Sequence, residues 1–326
     1  MGELLLVDKL RQVFGTRHPT YAVDGVSFSI PQQPSILSLV GESGSGKSTI
    51  ARIILGLLRP TGGAVYFQGQ DVYAAGKAWQ QRFRREVQAV FQNPYAVYNP
   101  AYKIERVFQI PVRKFKLAAH KDEARTKIEE SLRAVDLRPE DVLGKFPHQL
   151  SGGQRQRVML ARLHLIRPRL IIADEAVSMI DAAGRVTFLN ILLDFRDRYG
   201  ISTLYITHDL STAQYLGGSI IVLYKGRIVE RGDTLRVTTE PLHPYAQLLI
   251  QSVPIPDPTR RWTEVLTMTD ETATAKSPHR NRCFFAERCP YVMDICWQTR
   301  PNLQAVDGGM GAMQEVACHK YALAAR

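Results

Sequence analysis

An apolar run ends in two successive carboxylates, Asp174-Glu175, and another delivers Thr207-His208-Asp209. Upstream, Gly41-Glu42-Ser43-Gly44-Ser45-Gly46-Lys47-Ser48-Thr49 places glycines, a lysine and hydroxyls at the spacing of a phosphate-binding P-loop. Glycines let backbone N–H groups close around a polyphosphate, and a following helix adds its N-terminal partial charge. Lys47 can then reach the terminal phosphates, and Ser48 offers a hydroxyl to Mg²⁺. Asp174 suits the Mg²⁺ shell, Glu175 can polarise water for attack on a γ-phosphate, and His208 could contact that phosphate. Gln92 leaves a third apolar run, and its amide could touch Mg²⁺ or the attacking water. Ser151-Gly152-Gly153-Gln154 opens a helical stretch and reads as a second anion site, because N–H groups at a helix start are bare.

These groups need elements to hold them. Residues 35–40 read as the strand before the P-loop and residues 50–58 as the helix after it. Residues 87–91, 170–173 and 203–206 are further strands, the second apolar enough to be buried on both faces. Residues 64–71 read as a hairpin, and so do residues 220–230 around Lys225-Gly226. The first thirty residues predict two strands, 3–7 and 22–30, joined by a polar stretch carrying Phe14 and Tyr21. Either ring could stack on adenine, or serve as an ordinary core or surface aromatic. From 101 to 144 the spacing of Ile104, Val107, Phe108, Ile128, Leu132 and Val135 predicts an inserted helical subdomain.

The chain has 326 residues, is 45% apolar and carries a formal charge of +11. That length predicts more than one domain, and the charge an acidic partner surface, nucleic acid or anionic membrane face. Without an eighteen-residue uncharged apolar run or a signal-like start, the expectation is a soluble, cytosolic chain able to sit against a membrane. All four cysteines, Cys283, Cys289, Cys296 and Cys318, fall late in the chain. In a cytosolic protein that argues for metal ligation over disulfides, although the paired spacing of a zinc ribbon is missing. Four thiolates can hold either zinc or a four-iron cluster.

Taken in order, the P-loop, Gln92, Leu150-Ser151-Gly152-Gly153-Gln154, Asp174-Glu175, Asp181 and His208 resemble the ATP-binding-cassette (ABC) ATPases, across roughly residues 3–235. The fold implied is α/β, a P-loop NTPase with an N-terminal antiparallel β-subdomain, an inserted helical subdomain at about 93–160 and a small Cys-rich C-terminal extension. A nucleotide-binding domain would occupy 1–235 and the extension 236–326. The resemblance implies a head-to-tail dimer in which Ser151, Gly152, Gly153 and Gln154 serve the partner's nucleotide and Asp181 links the two sites. It also implies that Ser43, Gly44, Ser45, Gly46, Lys47, Ser48 and Thr49 bind ATP, that Ser48, Gln92 and Asp174 meet Mg²⁺, that Glu175 is the general base and that His208 senses the γ-phosphate. Ala176-Val177 stands where Pro-Thr is common, Met179-Ile180 where Ala-Leu is, and Gln32-Gln33-Pro34 where Pro-Gly-Glu is. None of these removes a reacting group, so Mg-dependent ATP hydrolysis is expected on this chain's own P-loop.

The tail narrows the resemblance. Pro241-Leu242-His243-Pro244-Tyr245, Leu248-Leu249 and Val253-Pro254-Ile255-Pro256, with the earlier Asn93-Pro94-Tyr95 and Asn99-Pro100, look like oligopeptide and dipeptide importer ATPases. That implies peptide uptake at the cytoplasmic face of the membrane. The implied partners are two membrane permeases, a second ATPase subunit and an extracytoplasmic substrate-binding protein; nickel or oligosaccharide are alternative cargoes. The tail also resembles one in which an iron-sulfur cluster has been found. A [4Fe-4S] cluster on the four cysteines is therefore expected, shielded by Phe284, Phe285, Tyr291 and Trp297, with zinc or free buried cysteines as alternatives. A soluble cassette ATPase acting on nucleic acid or ribosomes would fit the basic charge. Such proteins usually carry two cassettes or a long coiled coil, so no nucleic acid is expected here. An assembly module built on a metal site would need decayed ATPase residues, and these are intact.

Overall fold

Val26, Phe28 and Ile30 alternate with exposed or half-exposed neighbours, so one face of their strand is buried and the other meets water. The computed structural model describes residues 2–92, 98–252, 281–307 and 313–322. Strands β1 (Glu3–Phe14) and β2 (Thr20–Pro31) pair antiparallel. Both are longer than the sequence suggested, and the connection shrinks to residues 15–19. Phe14 and Tyr21 consequently lie in the strand pair: Phe14 faces Thr20 and Tyr21 faces Val13.

The second sheet starts at β3 (Ile36–Val40), in which all five residues are buried. Strands β4 (Gly62–Phe67) and β5 (Gln70–Asp71) form the expected hairpin and complete a four-stranded antiparallel sheet with β1 and β2. The second sheet continues with β6 (Val87–Phe91), β7 (Leu170–Asp174), β8 (Ser202–Thr207), β9 (Ser219–Tyr224) and β10 (Arg227–Asp233). Its parallel centre runs β9-β3-β8-β7-β6. Helices or the first sheet cover both faces, which is why these strands read as unbroken apolar runs. Parallel strands end on the same side, so the residues after β3, β6, β7 and β8 gather at one edge. Val40 is in register with Thr207, and Phe91 with Asp174. Loops at the carboxyl ends of such strands are where α/β sheets hold ligands.

Helices Glu105–Phe115, Lys121–Arg133 and Pro139–Val142 form the expected helical insertion. Phe108, Ile128, Leu132 and Val135 supply its buried stripe and share one core with Val158 and Leu160 of helix Gly152–Ile166.

The C-terminal part holds helices Thr234–Thr239 and Pro244–Gln251, then strands β11 (Gln304–Asp307) and β12 (Met313–Val316). Unanticipated by the sequence, β12 pairs antiparallel with β10, and the larger sheet becomes eight-stranded. Glu230 of β10 is fully buried and organises this junction. Its carboxylate accepts from the N–H groups of Leu242 (2.9 Å) and His243 (2.7 Å) and from the Gln314 amide. Burial pushes its pKa above the usual carboxylate range. Alongside, Arg231 donates to both carboxylate oxygens of Glu315 at 2.9 and 2.8 Å. Among the described residues no helix is long and apolar enough to cross a membrane. Asn93-Pro94-Tyr95 and Val253-Pro254-Ile255-Pro256 lie outside the described residues.

Candidate active site

The P-loop turns sharply from β3 into helix Lys47–Ile54 with Gly41, Gly44 and Gly46 all at positive φ. Space is tight at two of them. A Cβ on Gly41 would collide with the Leu223 carbonyl oxygen, and one on Gly46 with that of Ala22. The turn is tied down by the Gly226 N–H, which donates to the Ser45 carbonyl (2.9 Å), while the Gly226 carbonyl accepts from Asp24 N–H (2.9 Å). Inside the turn sits Lys47, only 4% exposed. Its Nζ donates to the carbonyls of Gly41 (2.6 Å) and Glu42 (2.8 Å) and to Ser45 Oγ (3.4 Å). Burial lowers its pKa, against the opposing pull of Glu175, Asp174 and Glu42.

The acidic residues stand next to this lysine. Ser48 Oγ donates to Asp174 Oδ1 at 3.1 Å. Burial raises the Asp174 pKa, with the Ser48 hydrogen bond opposing it and the neighbouring Glu175 charge adding to it. Glu175 takes a left-handed φ of 47°, unusual for a residue with a side chain. Its N–H donates to the Ile206 carbonyl at 2.9 Å. Strain of this kind persists only where the surroundings over-determine it. The carboxylate Oε1 lies 3.4 Å from His208 Nδ1, and both side chains line a cavity of about 440 Å³ that opens beside Thr207 and Ser178. Lys47, Ser48, Asp174, Glu175 and His208 are thus neighbours at one edge of the sheet.

These groups fit the chemistry of a metal-nucleotide. Ser48 and Asp174 offer hard oxygen ligands side by side, and Mg²⁺ usually needs only one or two carboxylates besides substrate phosphates. The glycine turn, which a Cβ would fill, has the curvature of a phosphate cradle. Gln92 is exposed just past β6, whose last residue is in register with Asp174. Phe14 is 44% exposed at its strand end.

Ser151, Gly152, Gly153 and Gln154 begin helix Gly152–Ile166 as expected, closed by a reciprocal cap. Ser151 Oγ accepts from Gln154 N–H (3.1 Å), and Gln154 Oε1 accepts from Ser151 N–H (2.9 Å). Asp181 caps helix Ala182–Tyr199 by accepting from Gly184 N–H at 2.7 Å. One residue that sequence reasoning missed joins these parts. Gln156, almost fully buried, donates from Nε2 to the Ala176 carbonyl (2.7 Å), tying the Ser-Gly-Gly helix to the loop behind Glu175. Its position one turn past Ser151-Gly152-Gly153 was the available signal.

The metal expectation for the tail is corrected. All four cysteines are described, and among the described residues no group of three or more His, Cys, Asp or Glu side chains is placed to hold a metal ion. Neither the iron-sulfur cluster nor zinc on Cys283, Cys289, Cys296 and Cys318 is supported. The cysteines are free, and Cys283 and Cys289 pack against the apolar cluster of Tyr245 and Phe285. Burial pushes the Cys283 thiol up to about 11 and raises Cys289 and Cys318 as well. Phe285 is buried here and Phe284 partly buried against the same cluster, whereas Tyr291 and Trp297 are about half exposed. Cys283 and Cys289 pack there as small hydrophobes.

A glycine turn around a buried lysine, a hydroxyl-carboxylate pair and a carboxylate-histidine pair, all at the carboxyl edge of a parallel sheet, define a P-loop nucleotide hydrolase. The profile described as "ABC transporter" matches residues 23–178, and that of "Oligopeptide/dipeptide transporter, C-terminal region" matches residues 229–296. The putative oligopeptide transport ATP-binding protein YkfD of Bacillus subtilis (strain 168) is 36% identical over 98% of this chain and 95% of its own length. The di/tripeptide transport ATP-binding protein DppF of Pseudomonas aeruginosa is 35% identical over 95% of this chain and 93% of its own. Among solved structures, the dimeric ATP-binding cassette MJ0796 bound to ADP and Pi is 27% identical, with a TM-score of 0.62 over 71% of this chain and 98% of that one. The chain belongs to the oligopeptide/dipeptide family of ABC transporter ATP-binding proteins.

Proposed function

We propose that this chain is the ATP-hydrolysing subunit of an ABC importer that powers uptake of oligopeptides or dipeptides through partner membrane permeases. The observation that carries this is the convergence of Lys47, the Ser48-Asp174 pair and the Glu175-His208 pair in a chain whose tail matches the peptide-transporter C-terminal region. On this reading the glycine turn and Lys47 hold the phosphates. Ser48, Asp174 and Gln92 hold Mg²⁺, which supplies charge neutralisation on the phosphate oxygens. Glu175 takes the proton of the attacking water, and His208, against the same carboxylate, faces the terminal phosphate. Phe14 or Tyr21 stacks on adenine. Ser151 and its glycines close on the nucleotide of a second ATPase subunit, with Asp181 between the two sites.

The helical insertion is the docking element for a permease. A groove of about 450 Å³ beside it is lined by Arg84, Lys103, Arg106, Lys114 and Arg162, together with Tyr98, Tyr102 and Ile110. No acidic residue lines it among the described residues, and Tyr102 and Ile110 are about half exposed. An acidic, partly apolar permease segment fits that surface, which would hold the chain at the cytoplasmic face of the membrane. Residues 1–235 act as the nucleotide-binding part and 236–326 as the importer-type extension. An extracytoplasmic binding protein completes the machine.

The experiment is affinity isolation of the chain from gently solubilised membranes with mass spectrometry of what accompanies it. Two permeases and a second cassette ATPase are expected, and they should be lost in Lys103→Glu/Arg106→Glu. Recovery of ribosomes or nucleic acid in their place overturns the transport reading.

A further inference from the structure

Glu42, inside the P-loop, is held from two directions. Its carbonyl accepts from Lys47 Nζ at 2.8 Å. Its remaining polar groups belong to the C-terminal extension, more than two hundred residues away in sequence. Both carboxylate oxygens accept from Arg288, Oε2 from Nη1 and Oε1 from Nη2, each at 3.0 Å. The Glu42 N–H donates to the Tyr245 hydroxyl at 2.8 Å.

That last bond has a consequence for the lysine. The Glu42 N–H and the Gly41 carbonyl are two ends of one planar peptide group, so fixing one fixes the other. The Gly41 carbonyl is the shortest partner of Lys47 Nζ, at 2.6 Å. Tyr245 therefore orients the acceptor that aims the lysine. The phenol is itself immobilised: the residue is fully buried, its ring against Tyr224 at 4.5 Å and Phe285 at 5.6 Å between centroids. Its helix, Pro244–Gln251, is capped by His243, whose Nδ1 accepts from the Tyr245 N–H at 3.0 Å. At the other end of that helix, Leu249 and Ser252 line the cavity that holds Glu175 and His208.

We propose that Tyr245 and Arg288 are positioning residues of the nucleotide site, setting the Gly41-Glu42 peptide and through it Lys47, so that the extension is a working part of the ATP site. The inference rests on the reading of the P-loop as that site. A bidentate guanidinium-carboxylate pair fixes direction as well as distance, which a lysine in its place cannot do equally well. Pre-setting the loop removes part of the ordering cost of binding.

The test is the affinity of the whole chain for a fluorescent N-methylanthraniloyl ATP. Tyr245→Phe keeps the ring and removes only the hydroxyl, so the fold should stand. We expect its Kd to rise about tenfold, with a similar rise for Arg288→Ala and recovery of part of it in Arg288→Lys. Glu42→Gln combined with Arg288→Ala should be no worse than the weaker-binding single variant, because one contact is lost in both. Affinities within twofold of wild type in folded Tyr245→Phe and Arg288→Ala would overturn the proposal, as would tighter binding or additive effects of Glu42→Gln and Arg288→Ala. A purely structural role would lower the unfolding midpoint and leave Kd alone. Lys47→Ala separates the two failures. If it binds as wild type, the P-loop reading falls; if it loses binding while Tyr245→Phe and Arg288→Ala do not, the positioning role alone falls.

Discussion

Substituting alanine at Gly46 and at Gly44 should give very different losses of stability, although both glycines lie at positive φ, +105° and +79°. The left-handed backbone costs any L-residue about 1–2 kcal/mol, and this term is common to the two variants. At Gly44 a new methyl group meets open space, with nothing within 4 Å. At Gly46 it would sit well inside 3.0 Å of the Ala22 carbonyl oxygen. Ala22 belongs to β2, and two residues on, the Asp24 N–H donates to the Gly226 carbonyl while the Gly226 N–H donates to the Ser45 carbonyl, so neither side can yield cheaply. Forcing atoms into such a place typically adds about 1–3 kcal/mol. Gly46→Ala should therefore lose about 2–5 kcal/mol against about 1–2 for Gly44→Ala. Urea denaturation of the nucleotide-free chain measures this directly and excludes any contribution from phosphate. Equal midpoints for the two variants would refute the steric reasoning and with it the claim that the P-loop is wedged against β2.

Glu175→Gln should keep ATP binding, slow hydrolysis by about a hundredfold or more and accumulate an ATP-bound dimer on gel filtration; undiminished turnover would remove Glu175 as base. Acidification should destabilise the chain through two buried histidines. Burial lowers His243 from 6.5 to about 3 and His164 to about 4, so the unfolded chain takes up protons below 6.5 that the folded chain refuses. Their stabilising effect is complete above 6.5 and is lost as pH falls toward 4 and then 3, at up to about 1.4 kcal/mol per pH unit for each. Unfolding midpoints of wild type and His243→Asn between pH 7 and 4 check this, and equal slopes would count against His243.

The site was legible where chemistry is local in sequence. A P-loop is a run of adjacent residues, and Asp174-Glu175 and His208 end apolar strands whose parallel pairing brings them together without further instruction. The helical insertion showed through the spacing of Phe108, Ile128 and Leu132, because a buried stripe imposes that period. What stayed hidden was pairing across long separations. Nothing in residues 313–316 declares that they will join β10, since a short strand has no partner-specific pattern. Glu42 was quoted as one letter of a motif, and only folding shows that Arg288 and Tyr245 meet it. The cysteines misled in the opposite direction: their count suggested ligands, but among the described residues no group of three or more His, Cys, Asp or Glu side chains is placed to hold a metal ion, and Cys283 and Cys289 pack against an apolar cluster.

The addition of β12 to β10 also bears on solubility. The outer side of β10 would otherwise offer bare N–H and C=O groups next to a core, a template for strands of other molecules. Two late strands cover that flank, and the outermost strand on that side becomes β11, four residues long and polar at both ends with Gln304 and Asp307. Short, polar margins are poor templates. A chain shortened before residue 304 should therefore clump during expression even with every nucleotide-binding residue intact, and the last strands act as a built-in guard against self-association.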